Sequence, residues 1–418
     1  MAASTYSITT SKTDVNGLWR KVQTPLQVAA QFMVDEWDML DSLQNFDVDW
    51  SAREITMPLD MTDDVGIASI PEGGYEAKPS SPNVADATLT WALFNGRFTI
   101  SKTARWIDEK NRAAMLERQM IYQGKKKLQA MARRLGEYFY GFSTGIMARA
   151  YSSSTVTLVM EDMYGVDTLG STGSTQVANV FKVGDRIAAL NPTGPALRAA
   201  PGVISTVTPS TRTIVTATDI SCSAQDYIVF ANSLENTTLA GGTDYNLALT
   251  GLLDICTSAS LHGVTTAAQP KWAAGYSDTS GGRMTGVRLK KAKQGIQNNG
   301  GGEMNTVIMT QGVENDIFAQ AQAGLRFADA FGMEIGGSVK MAGVKLLSTR
   351  FVPQGHLFGF DKKSLRKLTL IGKPGAPGWG DAYKLQDLSG YVLPLDYPCA
   401  LVCTNRGNFS YFSGLTEQ

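Results

Sequence analysis

Gly141-Phe142-Ser143-Thr144-Gly145 is the stretch of this chain that comes nearest to a catalytic motif, the G-x-S-x-G elbow that exposes a serine hydroxyl for acyl transfer. Such an elbow needs a buried strand before the serine, a helix after it and a histidine base. Here a helical pattern precedes the serine and β-type sequence follows, and neither His262 nor His356 has a distinctive setting. The two glycines read instead as a helix-ending turn, where positive φ must be tolerated. Cys222, Cys256, Cys399 and Cys403 lack C-x-x-C spacing, so they are expected to be reduced core residues rather than zinc ligands. Gly372-Lys373 runs into Pro374 without phosphate-loop spacing, and Gly300-Gly301-Gly302 precedes no suitable helix. Asp35-Glu36 and Asp63-Asp64 have no third ligand and are expected to be solvated. No catalytic residue, cofactor or metal is expected, and the chain is not expected to be an enzyme. A Ser143 hydrolase stands as the alternative from another functional class.

The remaining chemistry lies in lysines. Lys78 is the only lysine between Lys21 and Lys102, within the Gly/Pro/Ser-dense EGGYEAKPSSPN. Lys125, Lys126 and Lys127 form a cationic run. Each is read either as a solvated or ion-paired side chain or as a contact with another macromolecule.

These residues must be held by something, and the segment Ser101 to Gly145 is the dominant candidate. Ala114, Ile121, Leu128, Leu135 and Phe142 recur at seven-residue spacing, with Met131 and Tyr138 beside them, which predicts one long helix burying one face. From Ile107 to Phe142 it would span about 54 Å, too long for one compact domain to cover both ends, so part of it is expected to meet another subunit. Charge is distributed in a matching way. The 38 basic and 38 acidic residues cancel overall, which gives no electrostatic case for a nucleic-acid or membrane-surface binder. Residues 1–100 nevertheless hold 14 acidic and 6 basic side chains, a net of −8, whereas 105–142 hold 9 basic and 4 acidic, a net of +5. An acidic arm before a basic helix can steer one copy of a chain onto another, although each exposed pair adds at most about 1 kcal/mol.

Length and the 43% hydrophobic content are those of an ordinary globular protein of two to four domains. There is no signal-peptide pattern and no run of 18 apolar residues, so a protein made in a cytosol, with no membrane partner, is expected. A short helix is predicted after Thr24-Pro25. REITMPL and ATLTWALFNGRFTI enclose a long two-stranded loop between residues 53 and 100. Short β-type runs from 152 to 232 (STVTLVM, DRIAAL, GVISTV, RTIVTAT, YIVFA) predict a small all-β barrel or sandwich that interrupts the sequence as an inserted domain does. Helices are predicted at Met284–Gln297 and Val313–Ala323, the second after the apolar run Thr306–Thr310, and closing strands in YVLPL, PCALVCT and NFSYFSGL.

Taken in order, the arm, the extended loop, the long helix ending YFYGFSTGIMARA, the β run around FKVGDRIAALNP, the mixed part with MTQGVENDIFAQ and the terminal YPCALVCTNRGNFSYFSGL resemble a tailed-bacteriophage major capsid protein of the Hong Kong 97 type with an inserted β domain. The resemblance implies an α+β fold divided as an N-arm at 1–50, an E-loop at 51–100 lying over an adjacent subunit and a spine helix of the peripheral domain at 101–150. It further implies an inserted β domain at 151–236, an axial domain at 237–385 and C-terminal strands at 386–418 completing the peripheral domain.

It implies self-assembly into hexamers and pentamers of an icosahedral head that encloses phage DNA without sequence-specific binding, in a virion assembled in the bacterial cytoplasm. Further implied partners are a portal at one vertex and a decoration protein. Because the arm begins near residue 1 with no room for a fused scaffold, a separate scaffolding protein, or removal of such a segment before this numbering begins, is implied, Met1 favouring the former. Lys78 would lie in the E-loop, where some family members crosslink a lysine, and Lys125–Lys127 would be candidates for an inward contact with genome or scaffold, or for an intersubunit face. An encapsulin-like nanocompartment shell is the alternative within the same fold.

Overall fold

The computed structural model describes residues 43–45, 55–60, 67, 69–70, 72, 84–89, 91–101, 129–166, 176–194, 196–231, 245–323, 340–341, 343–369, 378–379, 383–384 and 390–417. Lys78, Lys125, Lys126 and Lys127 lie outside the described residues, as do the short helix after Pro25, Asp35-Glu36, Asp63-Asp64 and Gly372-Lys373.

In chain order, β1 (Gln44–Asn45), β2 (Ile55–Asp60), β3 (Val84–Leu89) and β4 (Ala92–Ser101) lead to a helix, α1, described over 129–140. β2 and β3 form an antiparallel pair with Thr56 opposite Thr88. Met57, Leu59, Ala87 and Leu89 alternate with exposed residues and bury one face, the period-two pattern of a half-covered hairpin. The expected long helix differs at both ends. Ser101 closes β4 rather than opening a helix, and the helix ends at residue 140, before Phe142. Helical periodicity read locally could not anticipate that ALFNGRFTIS pairs along ten residues with a strand almost three hundred positions away. Residues 102–128, with Ala114, Ile121 and Leu128, lie outside the described residues. Within the described helix, Leu135 and Tyr138 are buried and Met131 is partly buried, while Phe142 packs on the same core from beyond the helix end.

After the helix come β5 (Ile146–Ser154), β6 (Thr157–Met163), the single turn α2 (Val177–Val180), β7 (Arg186–Leu190), β8 (Gly202–Thr208), β9 (Thr213–Thr216) and β10 (Tyr227–Phe230). The six strands close into a barrel in the order β10-β5-β6-β9-β8-β7, β7 returning to β10. Closure removes free edges. Leu158, Met160, Ile187, Ile204, Ile214, Ile228 and Phe230 belong to the main core, while Ile146, Ala188, Leu190 and Val229 form a second small cluster with Leu197, Tyr227 and Tyr245. The main core runs on without a break into Leu135, Tyr138 and Phe139 of α1 and into Leu252 and Phe351, so the barrel is fused to its surroundings rather than tethered.

The remaining elements are α3 (Leu252–Thr257), the pair β11 (Ser260–Leu261) and β12 (Val264–Thr265), β13 (Tyr276–Asp278), α4 (Gly286–Gly300), β14 (Thr306–Met309) and α5 (Gln311–Ala323). They continue with β15 (Lys340–Met341), β16 (Val344–Ser348), β17 (Leu357–Phe360), β18 (Leu365–Thr369), β19 (Gly378–Trp379), β20 (Tyr383–Lys384), β21 (Gly390–Cys403) and β22 (Phe409–Phe412). α4 starts at Gly286 because Thr285 caps it, its side chain accepting from the Arg288 N–H, and it ends at Gly301 in the left-handed conformation, φ 69°.

One sheet has the order β13-β22-β17-β14-β16-β15, and the buried residues of α4 and α5 share a core with one of its faces. A second sheet is organised on β21, which pairs with β4 along one edge and with β20, β19 and β18 in succession along the other, β1 adding to β18 in parallel. The C-terminal strands therefore divide. β21 and the strands from 365 to 384 share a sheet with residues 92–101, whereas β22 enters the sheet of residues 276–360. The boundaries expected at 100/101 and 385/386 accordingly cut through one sheet, and hydrogen-bond pairing, not sequence adjacency, is the reason. Among the described residues no helix is long and apolar enough to cross a membrane.

Candidate functional site

The G-x-S-x-G segment sits where α1, the barrel and α3 meet, and each of its residues is used for packing. A Cβ on Gly141 would lie 2.8 Å from the Tyr164 ring, and Gly251 presses its Cα against the carbonyls of Tyr138 and Gly141. Gly145 adopts φ 72°, as a helix-ending turn requires, but Gly141 is there for clearance rather than for positive φ. The Ser143 N–H donates to Asp254 Oδ2, the Asn246 N–H donates to the Thr144 carbonyl at 2.9 Å, and the Ser258 hydroxyl donates to Asp254 Oδ1 at 2.8 Å. The Tyr164 hydroxyl donates to the Phe351 carbonyl at 3.0 Å, so the same knot reaches the loop before β17.

No histidine serves Ser143. The Nε2 of His262 accepts from the Cys403 N–H at 3.5 Å, and the Nδ1 of His356 pairs with the Gln354 carbonyl at 2.8 Å. Burial pushes His356 down to about 4, and burial with the Arg406 guanidinium does the same to His262, so both imidazoles are neutral at pH 7. The thiols are equally quiet. Burial raises Cys256 to about 12 and holds Cys399 and Cys403 well above the usual thiol range, and Cys222 on the barrel is also raised to about 12. Among the described residues no group of three or more His, Cys, Asp or Glu is arranged to hold a metal.

The charged side chains that matter here escaped the sequence reading. Arg133 donates to Glu137 Oε1 at 2.6 Å, to the Val180 carbonyl at 2.9 Å and to Asp185 Oδ2 at 2.8 Å, tying α1 to the barrel. Arg134 adds ion pairs to Glu137 at 3.6 Å and to Asp185 at 3.9 Å. Burial raises the Glu137 carboxyl, and the two guanidiniums pull it back. The i,i+4 spacing of Arg133 and Glu137 was a visible signal, whereas Asp185 had none. Arg406 is almost fully buried between two apolar strands and donates to the carbonyls of Ile255, Ser258, Trp272 (3.1 Å) and Asp254 (3.4 Å). It gathers the C-terminal end of α3, where the carbonyls of Ile255 and Ser258 lie beyond the last helical bond, which runs from the Ser258 N–H to the Asp254 carbonyl. Its setting in NRGN between closing strands was the available clue.

Among the described residues, large apolar side chains are exposed both before the helix and after it, the latter including Val183, Leu247 and Val287. Ile67, Ile70, Val84 and Leu93 lie open along the hairpin segment, Ile67 at 88% and Leu93 at 67%.

No family model matches the chain, and no curated protein matches it in sequence. Its structure is similar to the cyanophage A-1(L) capsid asymmetric unit, with a TM-score of 0.52 at 10% identity, over 93% of this chain and 95% of that one. The chain shares its fold with that phage capsid protein. Looser likenesses are the capsid of the native GTA particle (TM-score 0.47, 10% identity, 92% of each chain) and the holo-SrpI encapsulin complex from Synechococcus elongatus PCC 7942 (TM-score 0.44, 8% identity, 96% and 95%). Within the capsid fold, the Gly141–Gly145 turn is the crossing point of helix, barrel and sheet.

Proposed function

We propose that this chain is the major capsid protein of a tailed bacteriophage, of the Hong Kong 97 type, assembling into hexamers and pentamers of an icosahedral head around the genome. The observation that carries the reading is the likeness to the cyanophage A-1(L) capsid asymmetric unit over 93% of the chain. The exposed apolar side chains of the hairpin segment support it, because a subunit that ends up in a shell buries them on a neighbour. In this reading residues 1–50 are the N-arm, the β2–β3 hairpin belongs to the E-loop, and the barrel is an inserted domain that stiffens its own subunit through the Arg133–Asp185 network and the shared core. A separate scaffolding protein, a portal vertex and a decoration protein are its partners, and assembly takes place in the host cytoplasm. Lys78 and Lys125–Lys127 are proposed as contacts with neighbouring subunits or with the lumen. The protein works by burying surface, not by catalysis.

Size-exclusion chromatography with light scattering, with and without a co-expressed scaffold, tests this. Closed megadalton particles, or discrete pentamers and hexamers, are expected. A well-folded monomer or dimer under both conditions overturns the reading, and particles that co-purify with a protein cargo rather than DNA shift it to a nanocompartment shell.

A further inference from the structure

We propose that residues Ser413–Glu417 act as a strap that locks the first turn of α5 and two glycine loops into one unit, able to open while the sheet behind it stays folded. The proposal is independent of the shell reading. The strap runs between the loops at 281–282 and 353–355 and bonds to both. The Gly282 N–H donates to the Gly414 carbonyl and the Thr416 N–H to the Gly282 carbonyl, each at 3.1 Å, and the Leu415 N–H donates to the Gly355 carbonyl at 2.9 Å. Gly282 and Gly355 are in the left-handed region, φ 83° and 72°, so both loops turn sharply to meet the strap. Leu415, 4% exposed, packs into the core that holds Val313 and Ile317 of α5.

Glu417 completes the closure. Its Oε1 accepts from the Gly355 N–H at 2.7 Å and from the Thr310 hydroxyl, and Thr310 Oγ1 in turn accepts from the Val313 N–H at 3.4 Å. A carboxylate so placed also faces the positive end of α5. Gly312, in the first turn of α5, has no side chain because a Cβ there would lie 2.6 Å from Glu417 Oε2 and 2.8 Å from Glu417 Cβ. A glycine inside a helix disfavours it relative to alanine, so its presence is explained by the strap and not by the helix. The strands behind the strap are held by their own ladders, β14 to β16 and β17, and β17 to β22, none of which passes through residues 413–417; the strap meets the sheet only at its outer strand β13, where the Ser413 N–H donates to the Asp278 carbonyl at 3.1 Å. Opening the strap therefore breaks bonds to the loops, to Thr310 at the start of α5 and to the end of β13, but none among β14, β16, β17 and β22, which defines a local unit of lower stability than the whole.

Native-state hydrogen exchange on the full chain tests this with Glu417→Ala and Gly312→Ala. In both variants the amides of Val313, Gly355, Leu415 and Thr416 are expected to exchange at least tenfold faster, while those of Val307, Ile308 and Phe358 keep their rates. An alanine at 312 would otherwise slow exchange at the helix start, so acceleration there reports the collision with Glu417. The double variant is expected to return the Val313 amide toward the wild-type rate. Unchanged exchange at Val313 and Gly355 in Glu417→Ala overturns the proposal. So does acceleration of strap and sheet together, and so does failure of Glu417→Ala to fold, since a separable strap leaves the sheet standing.

Discussion

Lowering the pH from 7 to 5 should destabilise this protein through two histidines. His356 is fully buried, with Nε2 lacking a hydrogen-bond partner among the described residues, and His262 is partly buried with its Nε2 committed as an acceptor to the Cys403 N–H. Both are held down at about 4 in the fold, against the ordinary imidazole value of 6.5. A lowered imidazole favours the fold fully only above the unfolded value, and that contribution drains away as the pH falls through 6.5 toward 4, because the unfolded chain takes the protons first. Between pH 7 and pH 5 each histidine should cost about 2 kcal/mol, so about 4 kcal/mol for both.

The assay is urea unfolding at the two pH values for wild type and for the double variant His262→Gln/His356→Asn. These replacements keep an amide oxygen to accept from the Cys403 N–H and an amide N–H to donate to the Gln354 carbonyl, while removing both titrating rings. The double variant is expected to lose far less stability over this interval. Asp278, held at about 2 chiefly by Ser280 and Arg288, titrates below the window, and Glu137, raised by burial, is common to both proteins and cancels in the comparison. Equal losses in the two proteins would refute the reasoning.

Three further outcomes are expected. Arg406→Leu should cost about 3–5 kcal/mol in urea unfolding at pH 7, because it takes the guanidinium donor from the carbonyls of Ile255, Trp272 and Ser258. Gly251→Ala drives a Cβ into the carbonyls of Tyr138 and Gly141 and should abolish soluble folded protein, read by circular dichroism, whereas Gly194→Ala, with open space around it, should leave the spectrum unchanged. Ser143→Ala should shift stability by less than about 1 kcal/mol, since the backbone N–H of residue 143, not its hydroxyl, reaches Asp254, and neither wild type nor variant is expected to turn over an ester. Measurable esterase activity lost on that substitution would restore the hydrolase reading.

Much of the local structure was legible from the chain. The helix at 286–300 carries Leu289, Ala292 and Ile296 on its buried face behind a threonine cap, and TVIM before α5 is a fully buried strand; neither depends on distant sequence. The barrel strands were recognisable for the same reason, as β-branched runs cut by turn residues. Sequence likewise set the charge asymmetry, because residue identity alone determines it.

Tertiary structure decided everything that depends on pairing across long separations. Only the fold could show that 92–101 is a strand of the β21 sheet, that Tyr227–Phe230 closes a barrel between β5 and β7, and that β22 and β21 part company. It also turned Arg133 and Arg406 from solvated-looking charges into buried fasteners, with half-buried Asp185 as a partner of Arg133, and made Gly141, Gly251 and Gly312 obligatory through clearances of another segment. Periodicity reports which face of an element is apolar; the partner that covers it is chosen by contacts far apart in the chain, and those carry no local signature.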